Sequence, residues 1–229
     1  MRIFRYLCLT FALLLLSVPA YADLVTFSSL AAFTAAAPGL PVETFESGVV
    51  FPNTIIPCAG PLSSAAGGSC FPVATLLPGA VYSASPGPIM ALVGAGDPSI
   101  SNTSKIVGPA AFADTLNVTF AATTTAVGFD VFPGTGAGNI QVSVFDPSNV
   151  SLGVFTFPGA VGPNFFGVVS SSDLIGRINI MSTVGTTPRA ELIDNVAFGN
   201  AAATTVPEPS SLLLLAAGVG LLFRLRKRD

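Results

Sequence analysis

Asp114-Thr115-Leu116-Asn117-Val118-Thr119-Phe120, Ala126-Val127-Gly128-Phe129-Asp130-Val131-Phe132 and Ile140-Gln141-Val142-Ser143-Val144-Phe145-Asp146 decide the architecture of this chain. Leu116, Val118 and Phe120 alternate with Asn117 and Thr119. Val127, Phe129 and Val131 alternate with Gly128, Asp130 and Phe132, and Ile140, Val142 and Val144 alternate with Gln141, Ser143 and Phe145. A period of two sends successive side chains to opposite faces, so these are half-buried β-strands. Asp146-Pro147-Ser148-Asn149 is a turn, with Asp first and Pro second. It leads to a partner strand over 152–157, which completes a hairpin. Strands over 165–170, 175–182 and 190–198 follow, joined by Gly, Pro and Ser. This spacing predicts an all-β domain, an antiparallel β-sandwich or barrel.

Upstream of this block the signal is weaker. Leu24–Phe27 reads as a short strand, and 28–37 as the one internal helix, capped by Ser28 and ended by Pro38-Gly39. Residues 42–46 read as a strand. From Gly48 to about Ser101 the chain is rich in Pro and Gly, predicting long loops with short strands near 73–77, 80–83 and 89–93. Gly134-x-Gly136-x-Gly138 has no helix or lysine after it to cradle a phosphate, so it reads as a flexible strand connection. There is no tandem repeat.

The two ends have a different chemistry. Arg2 and Arg5 precede an apolar run over 7–16, and Val18-Pro19-Ala20-Tyr21-Ala22 ends in a small-residue Ala20-x-Ala22 site. This is the pattern of a signal peptide over 1–22, read by a secretion translocon and removed by signal peptidase after Ala22. At the other end Val206-Pro207-Glu208-Pro209 precedes a run over 212–223 that is apolar on every face, followed by Arg224, Arg226, Lys227 and Arg228. Such a run is compatible with a short transmembrane helix whose basic residues snorkel to the headgroups and fix the last residues in the cytoplasm. The domain then lies on the far side of the membrane, as the signal peptide requires. Pro207 and Pro209 lack amide donors and restrict the residue before each. The segment is therefore stiff and extended, suited to a cleft that binds extended peptide.

The order of Val206–Pro209, hydrophobic helix and Arg-rich end resembles the PEP-CTERM sorting signal of Gram-negative bacteria. That resemblance implies recognition by an exosortase, transient anchoring at the inner membrane, and delivery to the envelope, surface or extracellular matrix, often in species that make exopolysaccharide. The expected organisation is 1–22 signal peptide, 23–199 ectodomain, 200–205 linker and 206–229 sorting signal. Within the ectodomain, Thr44-Phe45-Glu46, 126–130, 142–146, 166–171 and 193–199 resemble the β-sandwich ectodomains carried by many PEP-CTERM proteins, themselves similar to galactose-binding-like jelly rolls and carbohydrate-binding modules.

Composition narrows the chemistry. Residues 23–199 hold three bases against ten acids, a net charge of −7, which argues against nucleic acid and is compatible with calcium. The chain has no histidine, which removes Ser-His-Asp catalysis, Cys-His catalysis and the usual zinc sites. It has no tryptophan, and Tyr82 is the one tyrosine of the ectodomain, a poor endowment for stacking sugars. Cys58 and Cys70 form an even pair in an oxidising compartment and predict a disulfide over a loop, against free thiols or a metal pair. In jelly rolls of the type resembled, first and last strands lie side by side. This makes Glu46 and Asp194 candidate ligands of a structural calcium, with Asn195 and Glu43 as lesser ones. Glu46 with Glu191 or Asp130 is the carboxylate pair a glycosidase would need, but nothing in the sequence shows that they converge. The expectation is a protein that is not an enzyme, has no catalytic residues, and is structural or adhesive at the surface or in an exopolysaccharide matrix. The alternative is a calcium-dependent carbohydrate-binding module.

Overall fold

The computed structural model describes residues 24–201, apart from Ala122, Thr135 and Ala190. The alternating segments pair into two sheets. The first runs β1 (Leu24–Phe27), β12 (Asn164–Ser170), β9 (Ala126–Phe132), β15 (Leu192–Gly199), β7 (Ile106–Pro109), β6 (Ile89–Val93) and β3 (Ile55–Ala59), with β2 (Val42–Glu43) also pairing on β15. The second runs β11 (Ser151–Gly159), β10 (Gly138–Phe145), β13 (Arg177–Val184), β8 (Thr115–Phe120), β5 (Ala80–Ser85) and β4 (Leu62–Ser63), with β14 (Thr187–Arg189) beside β13. The pairings are antiparallel, as in the expected β10–β11 hairpin. The fold is an all-β, antiparallel β-sandwich.

The periodicity that marks the strands also builds the core. Leu116, Val118, Ile140, Val142, Ile178 and Ile180 of the second sheet pack against Val127, Phe129, Val131, Val168, Ile193 and Val196 of the first. Asn117, Gln141, Ser143 and Asn179 fill the alternate, half-exposed positions. The first sheet departs from this rule because its outer face is also covered. Helix α1 (Leu30–Ala36) lies over one end of that face, its Phe33 buried with Ala37, Ala126 and Ala197. Close approach requires glycine beneath it: a Cβ on the register partners Gly128 and Gly167 would come within 2.7 Å of the Phe33 ring. At the other end Val93, Ile100, Ile106, Phe132 and Leu192 form a second small cluster. Phe132, expected on the solvent side of its strand, is therefore buried.

Several local expectations are corrected. Ser29 caps α1 in place of Ser28, its Oγ accepting from the Ala32 amide at 3.3 Å. The strand expected over 42–46 stops at Glu43, because Phe45 takes φ +56° and turns the chain away. Residues 73–77 are not a strand: Ala74 has φ +63° and its amide bonds to Ser64 O across the loop. In that same Pro/Gly-rich region β3 and β4 form, and β7 just beyond it, where the residue pattern has no clear period. Cys58 on β3 is bonded to Cys70 in the loop after β4, with Cα atoms 5.6 Å apart and both residues fully buried.

Candidate functional site

Three places on the sandwich concentrate chemistry. The first is a polar strip on the outer face of the first sheet, between the helix-covered and loop-covered ends. Asp194 and Asp130 are register partners there, and the pairing slips between Asp194 and Ala197. Asn195 absorbs the slip at φ +51°. Its amide donates to Asp194 Oδ1 at 2.7 Å and its Nδ2 to Asp130 Oδ2 at 2.8 Å. The Ser104 hydroxyl donates to Asp194 Oδ2. Burial pushes the Asp194 carboxyl up to about 6; the Ser104 and Asn195 donors oppose this, and the nearby Asp130 and Glu46 charges add to it.

Glu46, the other expected calcium ligand, lies near enough to be felt by Asp194 but is held by Lys105. The Lys105 amide donates to Glu46 Oε1 at 2.9 Å, and its Nζ reaches Glu46 O at 2.7 Å and Oε2 at 3.8 Å. Glu43 is also occupied, accepting from the amides of Phe45 at 2.8 Å and Leu77 at 2.6 Å. The expected neighbourhood of first and last strands is real, since Glu43 pairs with Val196. However, each of these carboxylates already has a protein donor, and among the described residues no three His, Cys, Asp or Glu side chains group to hold a metal ion.

The second place is an open groove of about 790 Å³ between the edge strands β1 and β11. Phe27, Phe155, Phe157, Phe165 and Phe166 line it, with hydroxyls from Thr26, Ser28 and Thr156. Phe157 lies parallel to Phe166 at 5.7 Å, and Phe155 leans on the same ring at 5.8 Å. Asn164 is locked in the 160–164 turn, its Nδ2 donating to Ala160 O and Gly162 O. No ionisable side chain lines the groove, so it offers stacking and hydrogen bonds but no acid–base pair. The period-two placement of Phe155 and Phe157 was visible in the sequence. That β11 would be an edge strand facing β1 was not.

The third is a pair of buried groups. Glu191 is 1% exposed and its carboxyl oxygens have no hydrogen-bond partner. Burial pushes it up to about 9, against a pull from nearby backbone amides and with a further push from Asp114. Among the described residues Glu191 shares no hydrogen bond with Glu46 or Asp130. Tyr82 is fully buried, with burial holding its phenol well above the ordinary value, and presents no ring to a sugar.

Ala20 and Ala22, the motif Val206, Pro207, Glu208 and Pro209, and the basic Arg224, Arg226, Lys227 and Arg228 lie outside the described residues. Among the described residues no helix is long and apolar enough to cross a membrane. What the structure does place is the two ends of the described chain. Val25 pairs with Val169, Val169 with Ala126, and Ala126 with Gly199. The chain therefore enters and leaves the sandwich on one row of four neighbouring strands, about 15 Å apart at about 4.8 Å per strand.

Residues 205–228 match the PEP-CTERM protein-sorting motif. A comparison with curated protein sequences finds no match. Among solved structures, the enzymatically active domain of bacteriophage CBA120 tailspike protein 4 aligns at 13% identity and TM-score 0.30, over 53% of this chain and 19% of that one. A family 29 carbohydrate-binding module aligns at 13% identity and TM-score 0.34, over 69% of this chain and 97% of that one, and a mutant of such a module gives the same score. These likenesses are too distant to transfer a ligand. The motif implies processing by an exosortase and an extracytoplasmic, membrane-associated place in a Gram-negative envelope. The chain carries a PEP-CTERM protein-sorting motif over 205–228, behind a domain that is a two-sheet antiparallel β-sandwich.

Proposed function

We propose that this chain is a secreted protein delivered to the cell surface or exopolysaccharide matrix, where its sandwich acts as a structural or adhesive unit without an enzymatic step. A cleavable signal over 1–22 starts export, and the segment over 206–229 holds the domain at the membrane until an exosortase acts near Pro207-Glu208-Pro209. The observation that carries this is the sorting motif at 205–228. Chain entry and exit on one row of strands supports it, because both expected membrane segments then attach at one end of the domain. The test compares maturation of the full chain with a Pro207→Ala/Pro209→Ala variant in a host with its exosortase. Loss of processing and of surface display in the variant is expected; unchanged processing refutes the sorting role.

A second reading is favoured by the groove between β1 and β11, where the half-buried Phe27, Phe155, Phe157 and Phe165 lie beside the hydroxyls of Thr26, Ser28 and Thr156, a lining that suits an extended polysaccharide. Affinity electrophoresis on host exopolysaccharide tests it, with retardation expected for the native chain and lost on Phe157→Ala. Equal mobility of the two removes this reading.

A further inference from the structure

A cavity of about 260 Å³ lies on the outer face of the first sheet, in the half away from the chain ends. Ile55, Ala91, Val93, Ile100, Phe112 and Leu192 make most of its wall. Two of them are large side chains left open to water: Phe112 is 60% exposed and Ile55 57%. Among the described residues the one charged side chain in the wall is Arg189.

The ectodomain has three cations, and the other two are satisfied within the domain. Lys105 is tied to Glu46. Arg177 donates to Asn117 at 2.9 Å and to Asn149 at 3.2 Å, and its guanidinium sits 4.0 Å above the Phe145 ring. Arg189 has no ion pair among the described residues, and its Nε is buried with no acceptor. A desolvated guanidinium N–H without an acceptor is costly, in a domain where acids outnumber bases.

We infer that this cavity is a binding site for a small amphiphilic monocarboxylate, a single planar anion on a compact apolar body. The carboxylate accepts from Arg189, whose flat fork matches its two oxygens. The apolar body covers Phe112, Ile55 and Ile100 and takes them out of water. One cation compensates one charge, so a second anionic group on the ligand would stand uncompensated. Among the described residues Ser99 and Arg189 are the only polar side chains in the lining, too few for a sugar ring with its several hydroxyls. The site is separate from the groove between β1 and β11, and it stands or falls independently of sorting.

Equilibrium dialysis of radiolabelled benzoate against the full chain in nanodiscs, with empty nanodiscs subtracted, tests the assignment. Saturable binding with one site per chain is expected. Arg189→Met weakens it at least tenfold, since charge-assisted hydrogen bonds exceed neutral ones in strength. Phe112→Ala, at an exposed position that leaves the fold intact, weakens it several-fold. Benzyl alcohol, with the same body and no charge, and acetate, with the charge and no body, compete poorly. Absence of saturable binding to the native chain overturns the proposal. So does equal binding by a folded Arg189→Met chain, or benzyl alcohol or acetate competing as well as benzoate.

Discussion

Replacing Glu191 by glutamine is expected to make this protein more stable above neutral pH and to flatten its response to pH. The native carboxyl, buried without a hydrogen-bond partner, ionises at about 9, against an ordinary 4.5 in the unfolded chain. A raised native pKa stabilises the folded state fully below the unfolded value, and the advantage is lost as pH rises through the native one. Each pH unit inside that window removes about 1.4 kcal/mol. Between about pH 6.5 and about pH 8.5, above the range in which Asp194 titrates, the native protein should therefore lose roughly 2–3 kcal/mol. The Glu191→Gln chain has no proton to release and should not. Urea unfolding of both chains, followed by far-UV circular dichroism at the two pH values, measures the difference directly. Parallel pH dependence in the two, or a variant less stable than the native chain at the higher pH, refutes the argument.

Three other outcomes follow from packing and charge. Phe33→Ala empties the space beneath α1 and should cost roughly 3–5 kcal/mol in urea unfolding. Loss of the bond between Cys58 and Cys70, by a double serine substitution, should cost roughly 3 kcal/mol from the freed loop and lower the thermal midpoint. Asp194, raised from 3.8 to about 6 by burial, should make stability fall as pH rises across that interval. Asp194→Asn should abolish that part of the slope in the same titration, leaving the Glu191 part in place.

Alternation could be read in β8, β10 and β13 because their outer residues Asn117, Gln141, Ser143 and Asn179 meet solvent, so one face is polar. In β9 and β15 the same period was present, but the face it marked as outer is covered. Phe132 packs with Leu192 and Ile106, and Gly128 is a seat for Phe33 and not a weak spot in a strand. Long-range cover of this kind leaves no local mark in the sequence. The strands β3, β4 and β7 were hidden for a different reason: prolines and glycines within or beside them, such as Pro57, Gly108 and Pro109, break the pattern while the ladder survives around them. Of the expected calcium pair, Glu46 and Asp194, the sequence reading put Glu46 on a strand beside the last one; the left-handed turn at Phe45 ends that strand early, so that Glu43, a lesser candidate, is the residue that pairs with Val196. That Lys105 would reach Glu46 from 59 residues away depends on tertiary packing alone. The cavity at Arg189 escaped for the same reason, because its wall is gathered from six separate stretches of chain.

The two exits of the sandwich differ in what holds them. Leu24 begins a rim strand bonded on one side only, whereas Gly199 ends β15, which is flanked by β9 and β7 deep in its sheet. A pull on the leading end unzips one ladder a bond at a time. A pull on the trailing end loads several ladders together, lengthwise and in shear, which is the stronger direction for a sheet. If the chain hangs from its C-terminal tether in flowing medium, drag is borne by its most deeply seated strand.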